Sequence, residues 1–295
     1  MMKISLVVDK YLEDLAAIKR YSGNTIKSYR ADLRQFIEYC EKFSKFNIEN
    51  LSEKFIKSFL MTLNENQLDK ISISRKLSAV RGLFKYSYRN EFVKSNPASA
   101  ISNPKTIKKL PSVTTEESIL EIYKKVEETE SEDDSLLIKT VFEFLYGSAL
   151  RVSEVCGLNY RDIDTQGKTV RILGKGNKMR IVPIGSKSLG IINEYLKSKN
   201  FLSPKDPLLT RNSRRIYSRW VHRIVHKYLS KVTDIKKKSP HILRHSAATH
   251  MLDRGADLKA VKEILGHENL STTQIYTHVS IERLKTAYKK SHPKS

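Results

Sequence analysis

Residues 168–184 read KTVRILGKGNKMRIVPI, and here the hydrophobic period of this 295-residue chain changes. Val170 to Leu173 and Arg180 to Ile184 are short, β-rich runs on either side of GKGNK. Two glycines and an asparagine in five positions favour a reversal, so the stretch is expected to form a β-hairpin with Lys175 at its tip. Upstream, LLIKTVFEFLYGSALRVSEVCGL (136–158) is mostly apolar and helical in period, with a break at Gly147. Helical patterns resume downstream and run to the end. One hairpin among helices gives a mainly α protein with a small β-hairpin or sheet in its C-terminal half.

The first hundred residues carry no β signal. YSGNTIKSYRADLRQFIEYC (21–40) opens on capping residue types and then sets Ile26, Tyr29, Leu33, Phe36 and Ile37 at three- and four-residue steps. ISISRKLSAVRGLFKYSYRN (71–90) repeats the logic with Leu77, Val80, Phe84 and Tyr88. Lys27, Arg30 and Arg34 in one helix, and Arg75, Lys76, Arg81 and Lys85 in the other, give this domain a basic side. Residues 96–111, NPASAISNPKTIKKLP, hold three prolines and no periodicity. Two domains are therefore expected, 1–100 and 112–295, joined by a linker at 101–111. SVTTEES (112–118) is a helix start, and EETESEDDS (127–135) reads as a solvated acidic loop.

Composition narrows the class. Hydrophobic residues make up 39% and charged residues 29%, enough for a buried core, and no run is long and apolar enough to span a membrane. Two cysteines, Cys40 and Cys156, in a chain without a secretory leader read as reduced thiols, which places the protein in the cytoplasm. The formal net charge of +22 favours a polyanionic partner, because every neutralised phosphate releases condensed counterions.

Two motif lookalikes fall away. QGKT (166–169) ends like a phosphate loop, but position 162 is Asp162 where that motif needs glycine. His241 and His245 in HILRHSAATH stand one helical turn apart like a zinc pair, but Ile242 occupies the place of the adjoining glutamate, so no metal site is expected. What remains is a set of cationic and hydrogen-bonding residues placed around turns: Arg151, Lys175, His241, Arg244 and His267, followed by Tyr276. Taken singly, each has an ordinary reading as a surface, capping or core residue. Together they suit a phosphate whose oxygens gain charge in a pentavalent transition state, with the tyrosine as nucleophile.

The residues that form this set also carry a resemblance. LRVSEVCGL, GKGNKMRIVPIG, SPHILRHSAATHMLDRGADLKAVKEILGH and LSTTQIYTHVSIERLKTAY follow the order and spacing of the tyrosine recombinases (phage integrase family), with wording nearest to the Xer site-specific recombinases. NTIKSYRADLRQF and SRKLSAVRGLFKY are similar to the family's core-binding domain, so the resemblance spans nearly the whole chain. It implies a two-domain C-clamp: an N-terminal helical, SAM-like core-binding domain and a C-terminal catalytic domain. It implies that Tyr276 is the nucleophile and forms an O-(3′-phospho-DNA)-tyrosine. Arg151 and Arg244 would clamp the scissile phosphate, Lys175 would protonate the leaving 5′-oxygen, His241 would take part in proton transfer and His267 would hydrogen-bond the phosphate. His245 and His250 match no catalytic position.

No cofactor, metal or ATP is implied, and the product pathway runs through a Holliday junction. The implied partner is a double-stranded DNA recombination site, bound by a tetramer on two sites that is homomeric or completed by a second Xer recombinase. A septal FtsK-type DNA translocase is the implied activator, and the terminal segment would dock onto a neighbouring protomer. Lys27, Arg75 and Arg81 are candidate DNA contacts. The implied role is chromosome-dimer resolution at cell division, with the protein associated with the nucleoid. The alternatives are the integrase of a mobile element, a DNA-nicking and resealing enzyme, and a DNA-binding protein without strand exchange. One departure stands out: where the family has Thr-Gly-Leu-Arg, this chain reads Ser148-Ala149-Leu150-Arg151, with Gly147 two positions before the expected glycine.

Overall fold

The computed structural model describes residues 2–18, 21, 23–104, 113–174, 179–266, 288–289 and 291–293. The chain divides into two compact units, Met1–Lys109 and Leu110–Ser295.

The first unit is helical. Helix α1 (Ile4–Ala17) buries Ile4, Val7, Val8, Tyr11, Leu12 and Leu15, a stripe at three- and four-residue steps that can face only one core. Helix α2 (Gly23–Lys42) buries Leu33, Phe36 and Cys40. Helix α3 (Glu53–Glu65) starts at Ser52, whose hydroxyl accepts from the Phe55 amide, and α4 (Lys70–Arg89) starts at Asp69, whose carboxylate accepts from the Ile71 and Ser72 amides. The expected apolar stripe of α4 holds at Leu77, Val80 and Phe84, but Tyr88 is exposed. Ala98 and Ile101 are buried in this unit's core, so the segment expected to open the linker is packed as far as Ile101. Arg81 holds it there, donating to the Ile101 carbonyl and, at 3.1 Å, to Asn103 Oδ1.

The second unit is helical around two small sheets. Helices α5 (Glu116–Thr129) and α6 (Glu132–Phe142) are capped by Thr115 and Ser131. The acidic stretch 127–135 is thus the corner between two helices and not a free loop. After α6 the backbone widens into a π-helical turn over Glu143–Gly147, closed by the Ser148 amide on the Glu143 carbonyl at 2.8 Å. Helix α7 (Val152–Gly157) follows.

Strands β1 (Ile163–Asp164), β2 (Thr169–Leu173) and β3 (Met179–Pro183) form an antiparallel sheet in that order. Leu173 pairs with Met179 and Ile172 with Arg180, which is the expected hairpin with one added strand. A second, unexpected hairpin joins β4 (Thr210–Arg211) to β5 (Arg214–Arg215). Its turn is Asn212-Ser213, both at positive φ, the geometry of a two-residue turn that asparagine tolerates. Helices α8 (Ser186–Lys197), α9 (Ser218–Val232), α10 (Pro240–Asp253) and α11 (Leu258–Leu265) complete the described unit. No described helix is long and apolar enough to cross a membrane.

Candidate active site

Arg151 sits at the N-cap of α7, just after a turn that reverses at Ala149 with φ +51°. That alanine holds the place where the resembling family has glycine, so the turn survives the substitution with an L-residue in the left-handed region. Gly147 is needed for a different reason. A Cβ there would lie 2.5 Å from Ser188 Oγ and 2.8 Å from Glu143 Oε2, inside a buried network in which Ser188 and Tyr123 each donate to Glu143 at 2.6 Å.

The Arg151 side chain reaches Glu154, one turn along α7. Its backbone amide donates to Glu154 Oε2 at 2.7 Å and its Nη1 to Oε1 at 2.9 Å. Two further arginines converge on the same carboxylate. Arg180, on β3, donates from Nη1 to Oε1 and from Nη2 to Oε2, both at 2.8 Å. Arg244, on α10, stands 3.6 Å from Oε2. Three guanidiniums against one carboxylate leave a local charge of +2. Burial alone would raise the Glu154 carboxyl, but the Arg180 hydrogen bonds and charge, joined by Arg151, hold it down at about 2.

The opposite wall is the end of α11, where helical carbonyls run out of amide partners. Arg180 Nε donates to the Ile264 carbonyl at 3.2 Å, Arg244 Nη2 to that of Leu265, and Arg151 Nη2 to that of Gly266 at 3.1 Å. Three consecutive carbonyls at the negative end of a helix dipole each meet one guanidinium. Gly266 is left-handed, φ +60°, and a Cβ on it would come within 3.1 Å of the Arg180 stem. Glycine therefore serves both the helix stop and the close approach.

Arg244 also donates from Nη1 to the Ala149 carbonyl at 2.6 Å. Burial, with help from the Arg151 and Arg180 charges and against that of Glu154, pulls its pKa down to about 10. A buried arginine surrounded by like charges is one that an incoming anion would stabilise. His241 lies one turn before Arg244 on α10, which Pro240 opens at its first position. Partial desolvation, then the charges of Arg244, His222 and Arg151, lower the His241 pKa, so its imidazole is neutral near pH 7.

The structure thus gathers Arg151, His241 and Arg244. Lys175, His267 and Tyr276 lie outside the described residues. Of the candidate DNA contacts, Lys27 is exposed on α2, and Arg75 is partly exposed while paired with the buried Asp32. Arg81 is committed to Ile101 and Asn103. Of the terminal segment, the described residues Tyr288 and His292 are buried and stack at 4.5 Å, the Tyr288 hydroxyl donating to the Gly147 carbonyl. Among the described residues no group of three His, Cys, Asp or Glu side chains could hold a metal ion.

Sequence reasoning passed over Glu154 and Arg180. The signal for Arg180 was its phase: it alternates with the buried Val182 on β3, so it must point inward. Ile181 on the other phase blurred that alternation.

Known proteins carry similar sequences and folds. A profile of the phage integrase family matches residues 112–283, and one of the phage integrase N-terminal SAM-like domain matches residues 8–91. The chain is 38% identical to tyrosine recombinase XerC of Halalkalibacterium halodurans over 98% of its own length and 97% of the relative's. It is 41% identical to XerC of Pelobacter propionicus over 94% and 92%, and 36% identical to tyrosine recombinase XerD of Pasteurella multocida over 99% and 100%. Among solved structures, the XerH site-specific recombinase bound to a palindromic difH substrate aligns with TM-score 0.71 at 24% identity, over 89% of this chain and 78% of that one. A λ integrase dimer bound to a COC′ core site aligns with TM-score 0.70 at 18% identity, over 93% and 99%.

Proposed function

The chain belongs to the phage integrase family of tyrosine recombinases, and from that membership we propose that it cuts and rejoins duplex DNA through Tyr276, with Arg151 and Arg244 gripping the scissile phosphate. Site-specific recombination is the activity of its Xer relatives; the steps and the residue roles are the proposal.

Tyr276 attacks phosphorus, and the phenolic O–P bond forms as the bond to the 5′-oxygen breaks. Lys175 delivers a proton to the departing oxygen, while the neutral His241 receives the phenolic proton. His267 adds a hydrogen bond to the phosphate. A 5′-hydroxyl from the partner duplex then attacks the 3′-phosphotyrosine and restores the phenol, through a Holliday junction. One phosphoester replaces another at each step, so neither ATP nor a hydrolytic water enters the balance.

The observation that carries this reading is the guanidinium cluster at the end of α11. It is a net positive, partly buried pocket wall built before substrate arrives, and His267 is the next residue in the chain. The +22 charge and the DNA-bound recombinases of similar fold favour double-stranded DNA as substrate. Lys27 and Arg75 are proposed phosphate contacts of the first unit, with Arg81 supporting them through the 101–103 segment. Similarity to XerC and XerD proteins favours chromosome-dimer resolution, in a tetramer on two sites with a septal translocase as activator, over integration of a mobile element.

Covalent capture tests the chemistry. The protein is mixed in EDTA with a library of nicked duplexes of random central sequence, and SDS-stable adducts are recovered. An adduct formed by the wild type and absent from Tyr276→Phe supports the reading. No adduct from the wild type, or one that survives the substitution, overturns it.

A further inference from the structure

We propose that Arg180 is a positioning residue for strand cleavage, one that neutralises Glu154 so that Arg151 and Arg244 keep their charge for the phosphate. The inference rests on the roles proposed for those two arginines. Its basis is the way one carboxylate is shared. Glu154 orients Arg151 through the backbone amide and Nη1, and it lies 3.6 Å from Arg244. Left with only those two partners, a buried carboxylate would draw both guanidiniums to itself and compete with the scissile phosphate for them. Arg180 occupies both carboxylate oxygens with a planar fork, the geometry in which arginine binds carboxylate most strongly. It is 5% exposed on the inward phase of β3, so it cannot itself reach out to a duplex.

Its third bond extends the role. Nε holds the Ile264 carbonyl, while Arg244 and Arg151 hold the next two. Arg180 therefore ties the outer strand of the hairpin to the helix end that also receives both proposed clamp arginines. A lysine there could keep the charge but would lose the two-bond fork and the Nε contact. A residue of purely structural worth would need only to fill the volume; this one is placed to divide charge among four groups.

The test uses the full chain and the nicked duplex recovered by wild-type capture. Duplex affinity and single-turnover adduct formation are measured for wild type, Arg180→Lys, Arg180→Gln and the double variant Arg180→Met/Glu154→Met. Each is also assayed on the same duplex with a neutral methylphosphonate at the scissile position.

Affinity is expected to stay near wild type for Arg180→Lys and Arg180→Gln. Adduct formation should slow on the order of a hundredfold, as when a reacting group is misplaced by about an ångström. The methylphosphonate should narrow that gap by about tenfold, because its transition state places less negative charge on the clamp. The double variant replaces a buried ion pair with apolar side chains, so it should melt no lower than the single variants. With the competing carboxylate gone it should cleave faster than Arg180→Gln, yet below wild type because Arg151 loses its Glu154 contact. If it regains stability yet cleaves no faster than Arg180→Gln, competition by Glu154 is not the cause and the inference falls. It also falls if the Arg180 variants cleave at the wild-type rate, or if their defect is the same on both substrates. A wild type that forms no adduct overturns the underlying reading instead.

Discussion

Arg180 and Glu154 face each other across two hydrogen bonds of 2.8 Å in the interior of the second unit, although 26 residues separate them. Their pairing gives Glu154 a carboxyl that is ionised at every physiological pH and makes it the counter-charge that three arginines share.

Glu154→Gln should therefore cost about 3–5 kcal/mol, the range for removing one partner of a buried ion pair. The pH dependence has a definite sign. The Glu154 pKa is depressed from 4.5 to about 2, so its contribution is complete above pH 4.5 and is lost as pH falls toward 2. Thermal melts across that window should show the wild type losing more stability than Glu154→Gln. Parallel curves would contradict the assignment.

His241 should impose the opposite kind of limit, on rate. Its pKa lies below the ordinary 6.5, so the neutral ring that accepts the proposed phenolic proton is depleted only as pH drops beneath that value. Adduct formation by the wild type should be level near pH 7 and fall in acid. His241→Gln should be slower by about 10²- to 10⁴-fold, the usual span for one general base, and should lose that acid limb. A variant with an unchanged profile would remove His241 from the mechanism.

Ala149→Gly should stabilise the chain by about 0.5–1 kcal/mol, since relief of a left-handed alanine outweighs glycine's larger unfolded-state entropy. Gly147→Ala, two residues away, should destabilise by about 1–3 kcal/mol, because the new Cβ meets the Ser188–Glu143 bond in a filled interior. Differential scanning calorimetry separates the two. A glycine at 149 that lowers the melting temperature would show that the turn does not strain alanine.

In the first unit, Asp32→Ala should cost about 3–5 kcal/mol by stranding the buried Lys76, which donates to Asp32 at 2.9 Å. Hydrogen exchange should locate the loss in α2 and α4, the two helices the pair joins. Asp32→Leu/Lys76→Met should recover most of it. Protection unchanged in both helices after Asp32→Ala would contradict the role of the pair.

Much of this fold is legible along the chain because it is periodic. The change from helical steps to β runs marks the β2–β3 hairpin, and capping types mark the start of α5 near Thr115. Arg151, His241 and Arg244 are singled out by residue type and spacing, and the structure brings those three together. The acidic 127–135 stretch was misleading for a local reason: composition shows that it is polar, but only Ser131's bond to the Asp134 amide shows that it turns a helix corner.

Periodicity reports which face of an element is buried; it carries no record of what waits on the other side. Sequence alone therefore determined the helical class, the hairpin and the roster of cations. Folding decided that Lys76 and Arg75 share Asp32, that Ala149 is left-handed, and that three guanidiniums meet Glu154 and the last carbonyls of α11. The reason is the range of the forces. Backbone propensity acts over a few neighbouring residues, whereas a buried charge is stable only beside partners that the packing of distant segments supplies.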